Sequence, residues 1–204
     1  MSQGGVPGGG VVKLIRQIPS VECKFWDTGL TTPTTAPGVW QNIGDAAMLS
    51  GIVQGTGPSE RVGRKIKVIG VIVRLSYNIS DTGPVTFDLV RDKQCNGTTA
   101  TTAQVYTDPN HFGSLPNPFE ETRFQFLKRR ETLNPGYTFP GGTNNGAISY
   151  QQKCNMVVEY SATTGTVSDL SSDNLLLFCC VGDNSNGLMT PNGKGFVRVL
   201  YTDA

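Results

Sequence analysis

The stretch Gly63–Ile79, GRKIKVIGVIVRLSYNI, constrains the fold most because it is the longest strand signal in the chain. Its apolar residues alternate with smaller or polar ones, with the two-residue period of a half-buried strand; they are Ile69, Val71, Val73, Leu75, Tyr77 and Ile79. Before Ile69 the apolar phase is the opposite one, set by Ile66 and Val68. A change of phase beside Gly70 predicts a β-bulge, in which an extra residue bends the strand.

Similar strand patterns recur along the chain, and no window of eleven residues shows a helical stripe. We count about eight strands, over 21–27, 39–43, 63–79, 85–92, 123–132, 149–161, 174–181 and a final strand that stops at Asp203. The tight turn Asp81–Pro84 predicts that its two flanking strands pair as antiparallel neighbours. The segment Asn174–Val181, NLLLFCCV, is apolar on both faces, which predicts a central buried strand or a strand at an interface.

The chain of 204 residues is long enough for one large all-β domain with a proper core. Eight antiparallel strands in one domain predict an all-β, eight-stranded antiparallel jelly roll made of two four-stranded sheets. We divide the chain into a flexible N-terminal arm at 1–20, which is rich in glycine, and a jelly-roll domain at 21–204. The loops Lys93–Pro118 and Asn134–Gly146 are predicted to be contact and surface loops.

Charge and residue types argue against several classes of function. Only 16% of residues are charged, and 17 Lys and Arg balance 16 Asp and Glu, so net charge alone gives no argument for nucleic acid. The single histidine, His111, provides neither a catalytic triad nor the histidine cluster of a metal-binding cupin. We therefore predict a protein that is not an enzyme and that has no cofactor.

Metal, disulfide and membrane signals are weak. The chain has an odd number of cysteines, five, and no CxxC motif. We therefore predict buried, reduced thiols rather than a zinc site. The turn Asp183–Gly187 is rich in oxygen ligands but departs from the EF-hand pattern, so a calcium site there is the lesser alternative. No apolar run approaches the ~20 residues that span a bilayer, and no membrane association is predicted.

Several phrases of the chain resemble the capsid proteins of small circular single-stranded DNA viruses that encode a replication initiator. Those proteins are in turn similar to the coat protein of satellite tobacco necrosis virus. The phrases cover most of 22–203 in the family's order and are Lys24–Asp27, Gln54–Gly57, Arg61–Ile66, Leu89–Gly97, Lys153–Ser161, Thr163–Gly165, Asn174–Leu175 and Val197–Asp203. The ordered set, rather than any one phrase, carries the resemblance.

The resemblance implies a jelly-roll capsid protein that self-assembles into an icosahedral T=1 shell of about sixty identical copies. It also implies an interior-facing N-terminal arm and a single-stranded genome as partner, DNA in the first place. The protein would belong to the virion and assemble inside the host cell, with the nucleus as one candidate location. The host and its receptor are not indicated.

Members of this family usually begin with a long arm rich in Arg and Lys. Here the first thirty residues contain few cations and two acids, namely Lys13, Arg16, Lys24, Glu22 and Asp27, so packaging by such a tail is not predicted from the chain as printed.

Clustered cations are the residues that bind phosphate. Our candidates for contact with nucleic acid are Lys13, Arg16, Arg61, Arg64 and Lys65. A further cluster is Lys128–Arg130. The simplest interpretation of this cluster and of the one that begins at Arg61 is a solvated or intersubunit charge patch.

Two alternatives stay open beside the DNA-virus capsid. One is the capsid protein of a satellite-type RNA virus. The other is a jelly-roll module that binds a carbohydrate or receptor, which would need an exposed aromatic platform built from Trp26, Trp40, Tyr106 and Tyr137.

Overall fold

The computed structural model describes residues 22–30, 38–44, 47–79, 84–95, 97–132, 144–182, 189–190 and 195–204. The predicted arm at 1–20, nearly all of the loop Asn134–Gly146 and the turn Asp183–Gly187 lie outside these ranges, as do the candidate residues Lys13 and Arg16.

The described strands form two antiparallel sheets. The six-stranded sheet has the order β1-β10-β3-β6-β7, with β9 paired to β3; its strands are β1 (Lys24–Gly29), β3 (Lys65–Ile79), β6 (Asn144–Tyr160), β7 (Leu170–Ser172), β9 (Met189–Thr190) and β10 (Phe196–Asp203). The four-stranded sheet has the order β2-β8-β4-β5; its strands are β2 (Gln41–Asn42), β4 (Val85–Asp92), β5 (Phe124–Thr132) and β8 (Asn174–Val181). Two short α-helices, α1 (Ala47–Ser50) and α2 (Thr102–Val105), and two 3₁₀ turns, Pro118–Glu120 and Val167–Asp169, complete the described elements.

The strand pairs are nested, with early strands joined to late ones. β1 pairs with β10, β2 with β8, β3 with β6, and β4 with β5. This is the pattern of a long hairpin rolled into two facing sheets, which defines a jelly roll. The predicted all-β antiparallel jelly roll is therefore confirmed, with four nested strands in each sheet.

Two details of the prediction are corrected. The short strands β7 and β9 enlarge one sheet, so the described sheets have six and four strands instead of four each. The strands on either side of the turn Asp81–Pro84 are not neighbours: β3 pairs with β10, β6 and β9, whereas β4 pairs with β5 and β8. The chain crosses from one sheet to the other between them.

The predicted bulge beside Gly70 is confirmed. The register of β3 against β10 shifts so that Val68 faces Tyr201 and Gly70 faces Leu200, which leaves Ile69 without a partner on that side. The register against β6 shifts at the same place. Ile69 therefore points to solvent, while Val71, two residues later, is fully buried. The extra residue reverses the apolar phase of the strand.

Both faces of β8 are buried, as its apolar pattern predicted, and the strand is central between β2 and β4. Leu175, Leu177 and Cys179 point into the core between the sheets, where each fully buried Leu contributes about 1.5–3 kcal/mol. Leu176 and Phe178 point the other way, into a second apolar cluster. All five cysteines are free thiols, but Cys23 is exposed and Cys154 is half-buried, so the prediction that all are buried is wrong. Cys180 lies on the face opposite to Cys179.

The second cluster exists because the segment 97–123, called the cover below, folds over the outer face of the four-stranded sheet. Tyr106 of the cover is fully buried and stacks on Trp40 with 4.1 Å between ring centroids. Its hydroxyl donates to Oδ2 of Asp88 on β4 at 2.9 Å, and Arg129 on β5 makes two further bonds to the same carboxylate at 2.8 and 2.6 Å. Burial raises the pKa of Tyr106 far above its usual range, so the phenol stays protonated as the donor. The predicted contact loop Lys93–Pro118 is thus, in large part, a lid over the core.

We predict that Leu176→Asp prevents folding, because it places a carboxylate in the second cluster at a cost of several kcal/mol. The matched control is Val157→Asp, since Val157 is also an apolar strand residue but is exposed on the six-stranded sheet. Soluble yield and thermal melting measure the difference. Equal yield and melting temperature for the two variants would show that the outer side of β8 is not buried.

Candidate nucleic-acid interface

The outer face of the six-stranded sheet is left bare by the described chain, in contrast to the covered four-stranded sheet. Every second residue of β1, β10, β3 and β6 points to this side, because side chains alternate along a strand. The charged residues on this face, called the bare face below, are Asp27, Lys65, Lys67, Arg74, Lys153, Glu159 and Arg198. Five are cations and two are acids, so the face is positive although the whole chain is nearly neutral.

The two acids of the bare face are already paired. Arg198 makes two hydrogen bonds to Asp27, at 2.7 and 2.6 Å, and this bonding lowers the pKa of Asp27. Lys65 lies 3.3 Å from a carboxylate oxygen of Glu159. Within the described ranges no ion pair involves Lys67, Arg74 or Lys153. These three cations are therefore available to an external anion.

Apolar and aromatic side chains lie between the cations. Phe25, Ile69 and Val157 are large hydrophobic residues exposed on this sheet. The guanidinium of Arg198 lies 4.6 Å from the ring centroid of Phe25, and that of Arg74 lies 6.0 Å from the ring of Phe196. Cations interleaved with an exposed ring, Phe25, and a half-buried one, Phe196, suit a single-stranded nucleic acid, whose phosphates and bases need both kinds of contact.

A groove of about 600 Å³ opens at the end of this face where β1 begins. Lys67 and Ile69 form part of its wall, together with Cys23 and Cys154. The nearby carboxylate of Asp203 is neutralised by Lys24, whose Nζ lies 2.8 Å from it. Cys23, close to the first described residue, therefore lies on the same groove as the free cation Lys67.

Arg61 is a correction to the predicted set, because it is buried, with 1% of its surface exposed. Its guanidinium donates to the carbonyl oxygens of Ile52, Gly63 and Ala162. It also stacks on the Tyr160 ring, 4.1 Å from the centroid. Arg61 joins two loops to the end of β6, and no face of it is left for phosphate.

The other predicted residues are placed differently. Lys65 is on the bare face, next to Lys67. Arg64 is exposed but lies in the bend before β3, outside the strand alternation. In the cluster Lys128–Arg130, Arg129 is bound to the buried Asp88, whereas Lys128 and Arg130 are exposed.

Lys67 and Arg74 were not among the five predicted candidates, and Lys153 and Arg198 were missed altogether by the sequence reasoning. The latter two occupy the polar phase of an alternating strand, so their outward direction could be predicted. What the sequence did not show is the pairing that places β6 and β10 on either side of β3.

Other kinds of site find little support in the described residues. Those residues contain no group of three or more His, Cys, Asp or Glu side chains that could hold a metal ion. Trp40 and Tyr106 of the suggested aromatic platform are buried, and Trp26 packs against the core. The described part of the chain contains no helix long and apolar enough to cross a membrane.

Comparison with known proteins identifies no family, since no family model and no curated protein matches the chain. Among solved structures, the chain is similar to a mutant VP1 of Washington University Polyomavirus, solved as an unassembled pentamer. The sequence identity is 11% and the TM-score is 0.23, over 89% of this chain and 93% of that one. The chain is also similar to VP1 of Trichodysplasia spinulosa-associated polyomavirus in complex with GM1 oligosaccharide, at 10% identity and a TM-score of 0.23, over 90% and 93%. Both similarities are too low to carry an argument.

We predict that Arg61→Ala destabilises the fold by about 3 kcal/mol, because it leaves buried carbonyl oxygens without donors and removes a side chain packed on Tyr160. Arg64→Ala is the control, since the neighbouring cation is exposed. Urea unfolding measures both. Equal free energies of unfolding for the two variants would contradict a structural role for Arg61.

Proposed function

We propose that this protein is the capsid protein of a small icosahedral virus. In this proposal about sixty copies form a closed shell, which encloses a single-stranded DNA genome. The protein acts by self-assembly, without catalysis or a cofactor, and it belongs to the virion after assembly inside the host cell. The resemblance of ordered phrases along 22–203 and the nested jelly roll both support this proposal.

The observation that carries the proposal is that the outer face of one sheet is covered by the chain, whereas the outer face of the other sheet is exposed. A shell wall needs one side that meets the genome and one that meets the outside. The bare face has exposed cations and the exposed ring of Phe25, whereas the cover closes the opposite sheet. We propose that the bare face lines the interior of the particle.

The bare face would bind the genome through phosphate contacts and stacking. Lys67, Arg74 and Lys153 provide cations, and Phe25 provides a ring for a base. Lys13 and Arg16 would add to this set, because the chain from Arg16 to Glu22 spans at most about 20 Å when extended. Lys65 takes part once its exposed pairing with Glu159 opens, which costs little because such exposed pairs contribute about 0–1 kcal/mol.

Two alternatives predict different results. A capsid of a satellite-type RNA virus would protect RNA, so nuclease digestion of the extracted nucleic acid separates it from a DNA virus. A carbohydrate- or receptor-binding module would stay monomeric. The burial of Trp40 and Tyr106 removes half of the aromatic platform that such a module would need.

Assembly itself is the first test. Purified protein is expected to form uniform spherical particles in negative-stain micrographs and to sediment as a closed shell. Because charge is sparse, the contacts between copies are expected to be mainly apolar, and the shell should survive moderate salt at neutral pH. A monomer at all concentrations would contradict the proposed function.

The second test concerns the genome contact. We predict that the triple variant Lys67→Gln, Arg74→Gln, Lys153→Gln retains less nucleic acid per particle, read from the 260/280 nm absorbance ratio, at unchanged particle yield. For a single-stranded oligonucleotide the salt dependence of log K should become shallower by about 2, since each lost phosphate contact removes about 0.7.

The matched control changes three exposed cations that lie off the bare face: Lys93→Gln, Lys128→Gln, Arg130→Gln. Both triple variants lower the net charge equally. An absorbance ratio and salt dependence that fall to the same extent in both would show that general charge, rather than the bare face, holds the nucleic acid.

A further inference from the structure

Phe119 is the most exposed large hydrophobic side chain among the described residues, with 92% of its surface accessible. Leu115, four residues earlier in the cover, is 69% exposed. Both lie outside the bare face, in the segment that precedes β5. An exposed aromatic side chain on a well-held backbone is the kind of residue that anchors a contact with another protein.

The turn that carries Phe119 is firmly held. The Asn117 side chain accepts a hydrogen bond from the Phe119 amide at 3.1 Å, which caps the 3₁₀ turn Pro118–Glu120. Behind it, Arg123 makes two hydrogen bonds to the buried Asp92, at 2.9 and 2.8 Å. The ring is therefore presented on a preorganised turn, and docking it costs little conformational entropy.

A complementary surface lies at the same end of the sandwich. The turn that carries Phe119 precedes the start of β5, and the segment Val62–Arg64 precedes the start of β3. β5 starts beside the end of β4, and β3 starts beside the ends of β6 and β10. The two sheets meet at this end, because Ser172 pairs with Glu159 at the end of β6 and Asn174, two residues later, pairs with Asp92 at the end of β4. Val62 is 57% exposed.

The charges of the two segments are opposite. Arg64 follows Val62, and Glu121 follows the Phe119 turn; both are exposed. Within the described ranges neither has an ion-pair partner. Each copy thus offers an apolar residue with an acid and an apolar residue with a base.

We infer that this end of the sandwich is a self-complementary, two-fold contact between copies of the chain. Phe119 of each copy packs against Val62 of the other, and Glu121 faces Arg64. Because both halves lie at one end, a two-fold axis makes each contact twice. This inference rests on the proposed function only in that the two-fold contact would be one of the contacts that hold the proposed shell together.

The test is sedimentation velocity of the full chain under conditions without particles. We expect wild-type protein to show a monomer–dimer equilibrium and Phe119→Ser to weaken the dimer about thirtyfold, as for loss of an aromatic anchor. The matched control is Val157→Ser, which removes a partly exposed apolar side chain from the bare face and should leave the dimer unchanged. Thermal melting of each variant checks that the fold is intact.

A charge exchange tests the geometry without removing the ring. Arg64→Glu and Glu121→Arg should each weaken the dimer at least fivefold, and the double variant should restore it. A double variant as weak as the single ones would overturn the pairing, as would a dimer unaffected by Phe119→Ser.

The outcomes separate this inference from the proposed function. Particles that form equally well from Phe119→Ser, whose dimer is also unchanged, would leave the capsid function standing and overturn the two-fold contact; the ring would then serve a different partner. A wild-type dimer that depends on Phe119 but never yields particles would support the contact and contradict the capsid function. A wild-type protein without any dimer would overturn the contact.

Discussion

The buried carboxylate of Asp88 is the interaction on which the two-sided form of this protein depends. It lies on the outer side of β4, fully buried, and accepts hydrogen bonds from Tyr106 of the cover and from Arg129 of β5. A buried carboxylate is stable only with such partners, and loss of either would leave it uncompensated. The same bonds therefore hold the cover against the sheet and allow Leu176 and Phe178 to be buried there.

The consequence is that the two sheets have different outer faces. One sheet has its outer face closed by the cover, and the other exposes cations between rings across β1, β10, β3 and β6. The bulge at Ile69 contributes to this difference, because it brings an apolar residue to the surface beside Lys67. The end of the sandwich is a third surface, with Phe119 raised on a capped turn. In the proposed capsid, genome contact, outer surface and contact between copies would therefore belong to separate parts of one fold.

The sequence predicted those features in which a local pattern and burial coincide. The alternation in Gly63–Ile79 predicted β3 and its bulge, and the double-sided apolar run predicted the central position of β8. The prediction that β3 pairs with β4 was wrong, because a short connection can lead either to a neighbouring strand or to a strand of the facing sheet.

The site was harder to predict because its parts come together only through long-range pairing. Arg61 lies in a basic run and looks exposed, yet its partners include Ile52 and Ala162 in two other loops. Lys153 and Arg198 can be assigned to the bare face only once β6 and β10 are known to flank β3.

The most direct test of the account is an electron cryomicroscopy reconstruction of the assembled particle. The account predicts that the bare face lines the interior, with nucleic-acid density against Lys67 and Lys153; a particle whose interior is lined by the cover, with the bare face outward, would contradict it.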